Sequence, residues 1–186
     1  MAERASPGPS ERVSIFGASG SGKSTLALAI AHELGAPVLE LDALYHQAQW
    51  TPLDADDFRA RVDEFIAQPS WVCDGNYEAV RAAVWSRATI IVLLDLPRWR
   101  VMARLGRRTL RRIVWREELW NGNKESWRNL LSRDPERNIL LWSWQTHARR
   151  RAEVPVLARR DAAHARFIVI TRERERRQLL EELRVR

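Results

Sequence analysis

One stretch constrains this chain more than any other: Gly17-Ala18-Ser19-Gly20-Ser21-Gly22-Lys23-Ser24-Thr25. Its spacing is G-x4-G-K-[ST], the phosphate-binding loop named Walker A. Glycines let successive backbone N–H groups turn inward and approach a polyphosphate that any Cβ would hold away. A helix opening near Gly22 would aim its positive end at the same anion. Lys23 offers a mobile charge for β- and γ-phosphates, and the Ser24 hydroxyl is a hard oxygen ligand suited to Mg²⁺. The flanks supply the context such a loop requires. Arg12 to Phe16 reads as a short buried strand, and Leu26, Ile30 and Leu34 recur at helical spacing until Gly35 and Pro37 stop the helix. The ligand this predicts is a nucleoside triphosphate.

At 186 residues the natural count is one domain, taken here as 12–186 behind a disordered tail over 1–11. The opening MAERASPGPS holds Pro, Gly and Ser but no apolar stretch of a signal peptide. No apolar run approaches the ~20 residues that span a bilayer. Cys73 is the single cysteine, so no internal disulfide forms, and a cytoplasmic location is expected. The net charge of +7 suits nucleic acid or a polyphosphate substrate. Lys23 and Lys124 are the only lysines, so this charge is almost all arginine, a compositional skew as much as a selected surface.

Strand patterns fall at Val38–Leu41 (ending at Asp42), Trp71–Gly75, Thr89–Leu94 and Phe167–Ile170. Thr89–Leu94 is continuous and β-branched, as in a strand buried on both faces. Helices are expected over 53–66, 78–85, 97–115, 136–151 and 173–183, with a polar excursion over 116–135. The alternation implies right-handed βαβ units: an α/β three-layer sandwich with a parallel sheet and helices on both faces. Ligands then sit beyond the carboxyl ends of the strands, where Asp42, Asp74 and Asp95 are expected.

GASGSGKST, LDALYH, WVCDGNY and IIVLLDLPRW followed by an arginine-rich helix together resemble the adenylate-kinase-like P-loop proteins, most closely their topology-modulation subgroup. The likeness covers residues 12 to about 112. It implies five strands in the order 2-3-1-4-5 and a helical lid over about 112–135 that is mobile above the phosphates. Carried over, Gly17 to Thr25 hold the nucleotide, with Lys23 also catalytic. Asp74 joins Ser24 in holding Mg²⁺, and Arg104 and Arg108 approach the triphosphate. Asp42 falls where related kinases hold the acceptor, so it would orient or deprotonate a hydroxyl; a turn-forming Asp is the plainer alternative. The sequence departs from adenylate kinase in having no arginine from Asp42 to Phe58 and none after Asp74 before Arg81. A phosphate monoester dianion would lack its fixed cation there. Tyr45, His46, Trp50, Asn76 and Tyr77 instead point to a polar acceptor stacked on aromatics.

At 100° per residue, Val101, Met102, Leu105, Thr109 and Ile113 share one face of the arginine-rich helix, and Arg100, Arg104, Arg107, Arg108 and Arg111 the other. With no acid close in sequence, that stripe calls for an external anion, a triphosphate ahead of nucleic acid. Trp120-Asn121-Gly122-Asn123 reads as an ordinary Asn-Gly turn within the lid, the alternative being a contact to nucleotide or acceptor on closure. His147 and His164 show no metal-ligand spacing with Cys73. These readings predict a Mg²⁺-dependent phosphotransferase moving the γ-phosphate of ATP to a small-molecule acceptor. The alternative is a regulatory or nucleic-acid-associated ATPase that uses ATP as a switch.

Overall fold

The computed structural model describes residues 10–135 and 137–185; most of the expected tail, residues 1–9, lies outside them. Five strands form one sheet: β1 (Arg12–Gly17), β2 (Val38–Glu40), β3 (Trp71–Asp74), β4 (Ile90–Leu94) and β5 (Arg166–Ile170). Their order is β2-β3-β1-β4-β5, and every pairing is parallel. The expected topology is the observed one.

Alternation along the strands explains the three layers. Val13, Ile15, Val72, Ile90, Val92, Leu94 and Ile170 face one side, where α1 (Lys23–Leu34) and α8 (Glu173–Arg184) bring Leu26, Ile30, Leu179 and Leu183. Phe16, Trp71, Cys73, Ile91 and Leu93 face the other side. There they meet Phe58, Val62 and Ile66 of α3 (Ala55–Ile66), Val80, Val84 and Trp85 of α4 (Glu78–Arg87), and Val154 and Ala158 of α7 (Ile139–Asp161). A strand covered on both faces has no room for polar alternation, so β4 is apolar throughout.

Three differences from the sequence reading bear on the site. The second strand stops at Glu40, and the chain turns at once into α2 (Leu41–Tyr45). Asp42 therefore rides on a short helix instead of ending a strand. The cause is a close approach: Gly75 has φ +145°, and a Cβ there would lie 2.7 Å from the Leu41 Cβ. Glycine after β3 admits the buried Leu41 and draws α2 over the strand ends.

The second difference is α7, which continues ten residues past the expected end at Arg151 and through Pro155. Proline cannot donate the turn's hydrogen bond, but Val154 and Ala158 on either side are buried against α4 and the sheet, and that packing carries the helix across. The third is the excursion between α5 (Arg98–Val114) and α7, which contains a tight turn over Trp120–Gly122 and the short α6 (Trp127–Leu130). None of the described helices is long and apolar enough to cross a membrane.

The Gly75 contact gives a direct test. Gly75→Ala combines an unfavourable φ with a clash on Leu41, and should lower the unfolding free energy by about 2 kcal/mol in urea denaturation. An unchanged midpoint would show that α2 does not depend on this approach.

Candidate functional site

The loop from Gly17 to Gly22 links the carboxyl end of β1 to the first turn of α1. Ser21 N–H donates to Ala18 O at 3.0 Å and Leu26 N–H to Gly22 O at 3.0 Å, so the loop is a closed turn running into the helix. Gly22 caps α1 in the left-handed region, with no side chain bonded to the helix's first N–H groups. Those donors suit an anion. Gly20 meets α5: a Cβ on it would lie 2.8 Å from the Leu105 Cβ and 3.0 Å from Val101 O. Lys23 Nζ bends back to Ala18 O at 3.5 Å, a contact weak enough for a phosphate to replace.

Ser24 and Asp74 are fifty positions apart and touch. The Ser24 hydroxyl donates to Asp74 Oδ2 at 2.6 Å. Asp74 is buried, and its Oδ1 has no hydrogen-bond partner among the described residues. Burial holds the Asp74 carboxyl above its ordinary pKa against the lowering effects of Lys23 and the Ser24 hydroxyl, with Asp42 and Glu40 adding to the rise. A hard hydroxyl oxygen beside a carboxylate with one orphan oxygen fits Mg²⁺, which keeps several waters and phosphate oxygens in its shell. No group of three acidic, His or Cys side chains arranged for a metal occurs among the described residues, and this ion does not require one.

Asp42 stands on α2, where Tyr77 OH donates to its Oδ1 at 2.8 Å. His46 Nε2 lies 3.5 Å from the same hydroxyl. Burial raises the Tyr77 pKa, with Asp42 reinforcing it, so the phenol stays protonated as a donor. Burial also lowers the His46 pKa, opposed by Asp42. Below them Tyr45, Phe58 and Tyr77 pack with ring centroids 4.8–5.4 Å apart, fixing the Tyr77 hydroxyl under the carboxylate.

The arginine helix resolves into unequal residues. Val101, Leu105, Thr109 and Ile113 form its buried stripe, and Arg108 and Arg112 flank that stripe half-buried. Arg112 bridges to Glu125 at 3.0 Å. Arg108 has no ion pair among the described residues, and its Nε is buried without a partner. Burial and the neighbouring Arg112 lower its pKa, and Glu125 and Asp42 oppose them. Arg104 is exposed on the turn that abuts Gly20. Arg111, expected to lack an acid, pairs with Glu117 at 2.9 Å, because the chain folds back after α5. Asp95, the remaining strand-end acid, is taken by Arg151 at 3.0 Å.

In the sequence the run Arg149–Arg151 reads as helix-end arginines or a nucleic-acid contact, and nothing in it sets Arg150 apart. Its neighbours are engaged elsewhere, Arg149 with Glu153 at 3.8 Å and Arg151 with Asp95. Arg150 itself turns inward over the Trp142 ring, 5.7 Å from its centroid. Burial and Arg149 lower its pKa, while Asp42 and Tyr77 oppose them, which marks it as a neighbour of the Asp42 crevice. The signal was periodicity: Ser143, His147, Arg150, Val154 and Ala158 share the inward stripe of α7, and ending that helix at 151 hid it. His147 Nε2 at 3.1 Å from Leu96 O and Ser143 Oγ at 3.4 Å from Ser19 O seat α7 against β4's exit and the phosphate loop.

A family model described as ATPase family associated with various cellular activities (AAA) matches residues 13–72, a span that includes the phosphate loop. No curated protein matches the chain significantly. Among solved structures, a gluconokinase from Sinorhizobium meliloti 1021 superposes with TM-score 0.51 at 20% identity, covering 95% of this chain and 91% of that one. A shikimate kinase from Bacteroides thetaiotaomicron gives 0.49 at 14% identity, over 94% and 96% of the two chains. One from Acinetobacter baumannii gives 0.49 at 16%, over 92% and 89%. The gluconokinase superposition and the strand order together show a P-loop kinase-like fold.

Asp74 yields a signed prediction. Its raised pKa means the native state binds the proton more tightly than the unfolded chain, so stability falls as pH rises through and above the carboxylate range. Asp74→Asn removes that titration. The ligand-free variant should melt above wild type at pH 7, with the gap closing toward pH 4. Its Mg²⁺-dependent ATP turnover should fall roughly ten- to hundredfold. A variant that melts lower at pH 7, or turns over normally, contradicts the assignment.

Proposed function

We propose that this chain is a Mg²⁺-dependent phosphotransferase that moves the γ-phosphate of ATP to a hydroxyl of a small polar acceptor. The observation that carries the reading is a convergence at the carboxyl ends of β1 and β3. The phosphate loop and the Ser24–Asp74 pair lie on one side of the crevice, and the Asp42–Tyr77 pair on the other. In this reading the backbone of Gly17 to Thr25 and the Lys23 ammonium bind the polyphosphate. Ser24 and Asp74 hold Mg²⁺, which when bound neutralises phosphate charge. Asp42 Oδ1 is occupied by Tyr77, leaving Oδ2 to accept the acceptor's hydroxyl proton. The acceptor oxygen then bonds to the γ-phosphorus as the bond to the β–γ bridging oxygen breaks. ADP and a phosphorylated acceptor are the products.

Arg104 and Arg108 serve the triphosphate, and Arg108 is the half-buried one with charge to spare. Arg150 serves the acceptor side, close to Asp42 and Tyr77. It supplies a cation that the second-strand segment lacks. The kinase-like fold agrees with this chemistry, and the superposed neighbour is by name a gluconokinase.

One observation supports a second reading, a nucleic-acid-associated ATPase. Arg98, Arg100 and Arg107 carry no ion pair among the described residues, and Arg98 and Arg100 sit over the exposed rings of Trp144 and Trp99. Guanidinium–indole surfaces of this kind suit single-stranded nucleic acid.

The test is ATP consumption with a panel of nucleosides, sugars, sugar acids and polyols, beside thermal melts of each variant. Arg108→Ala should lower turnover on the order of a hundredfold, as loss of an oriented donor does. Arg104→Ala and Arg150→Ala should also reduce it, whereas Arg100→Ala and Arg107→Ala leave it nearly unchanged. Equal, modest losses from all five, with steeply salt-dependent binding of an oligonucleotide, would favour the second reading.

A further inference from the structure

The turn at Trp120–Gly122 is bonded to the acceptor segment by side-chain amides across more than seventy positions of sequence. Asn123 is only 3% exposed. Its Oδ1 accepts the Trp50 N–H at 2.8 Å, and its Nδ2 donates to Gln47 O at 2.8 Å and Trp120 O at 2.9 Å. Asn121 Nδ2 donates to His46 O at 2.7 Å. The Trp120 indole donates to Glu40 Oε2 at 3.1 Å, and the Trp50 indole to Lys124 O at 3.3 Å.

Each partner is itself a closed loop. Residues 46–52 are pinched by the His46–Pro52 bridge and by Gln47 N–H on Thr51 O at 2.8 Å. Residues 118–124 are pinched by the Glu118–Lys124 bridge and by Leu119 N–H on Asn123 O at 2.7 Å. The tips of both, Gln49, Trp50 and Asn121, have positive φ, so each loop is a tight turn held in one shape. Between them the His46 and Trp120 rings stack at 17°, with centroids 6.5 Å apart.

We infer that loops 46–52 and 118–124 form one clasp that opens and closes as a unit over the acceptor, and that Asn123 is the positioning residue that locks the two together. The inference rests on the proposed phosphotransferase, since it assigns the second loop to the acceptor side and not to ATP. A buried amide bonded on three sides cannot leave one loop without stranding polar groups of the other, so separate motion is costly. The clasp reaches the chemistry at two points. Loop 46–52 begins at His46, which faces the Tyr77 hydroxyl on Asp42. Beyond loop 118–124 lies Glu125, which pairs with Arg112 one turn from Arg108. Asn123 thus acts through His46 and Arg108 and touches neither reacting atom.

The test is amide hydrogen exchange on the full chain, without ligand and with Mg²⁺ and a non-hydrolysable ATP analogue. Asn123→Ala should speed exchange in both 42–53 and 116–125 on the order of tenfold or more, leaving β1, β3 and β4 unchanged. The analogue alone should protect 17–25 without protecting 118–124. Asn123→Asp keeps the acceptor for Trp50 N–H but loses both donors, and serves if the alanine variant does not fold. In ATP consumption, with rates normalised to the folded fraction measured in parallel, either variant should lower the maximal rate about tenfold while moving half-saturation by ATP less than twofold. Faster exchange in only one loop, or protection of 118–124 by the analogue alone, overturns the clasp. Failure of wild type to bind the analogue would instead strike the phosphotransferase reading, because the coupled exchange of ligand-free loops is measured separately.

Discussion

The hydrogen bond from Ser24 to Asp74 ties the phosphate loop's helix to the end of β3. One end belongs to the first turn of α1 and the other to the last residue of β3, so it spans adjacent strands of the sheet. Its position follows from register: Ile15 sits opposite Asp74, and the chain beyond Ile15 becomes the phosphate loop. Burying a carboxylate costs stability unless a cation or donors offset it, and here one oxygen is left without a partner. Such an unbalanced group is typical of a site completed by its ligands. The adjoining Gly75 then sets α2, and with it Asp42, at the crevice's far wall.

The arginines of α5 and α7 fall into unequal groups. Arg111, Arg112, Arg149 and Arg151 are paired with acids, whereas Arg108 and Arg150 are half-buried with no ion pair among the described residues, and both feel the Asp42 charge. The difference is one of helical position: these guanidiniums lie half-buried beside the buried stripes of α5 and α7, within reach of the Asp42 charge. A desolvated guanidinium without a counterion is a strong site for an incoming anion.

Much of the fold was legible because its signals are local. The apolar run Ile90–Leu94, the loop's glycines and the punctuation by Gly35 and Pro37 identify elements within a few residues. The strand order came from resemblance, since nothing local specifies which strands adjoin. What could not be read depended on contacts between distant residues. Asp42 was assigned to a strand end because only Leu41 meeting Gly75 reveals the turn. Asn123 read as an ordinary turn residue because its partners Gln47 and Trp50 lie more than seventy positions away. Arg150 read as one of three helix-end arginines because α7 continues through a proline that tertiary packing overrides.

If Ser24 and Asp74 together form the seat of a metal-bound triphosphate, calorimetric titration of ATP with and without Mg²⁺ will register it. Wild type should bind ATP more tightly when Mg²⁺ is present. Ser24→Ala should keep its metal-free affinity within about twofold and lose most of the gain from Mg²⁺, on the order of tenfold. An equal Mg²⁺ gain in both proteins, or no ATP binding by wild type, would rule out a metal-bound triphosphate at this pair.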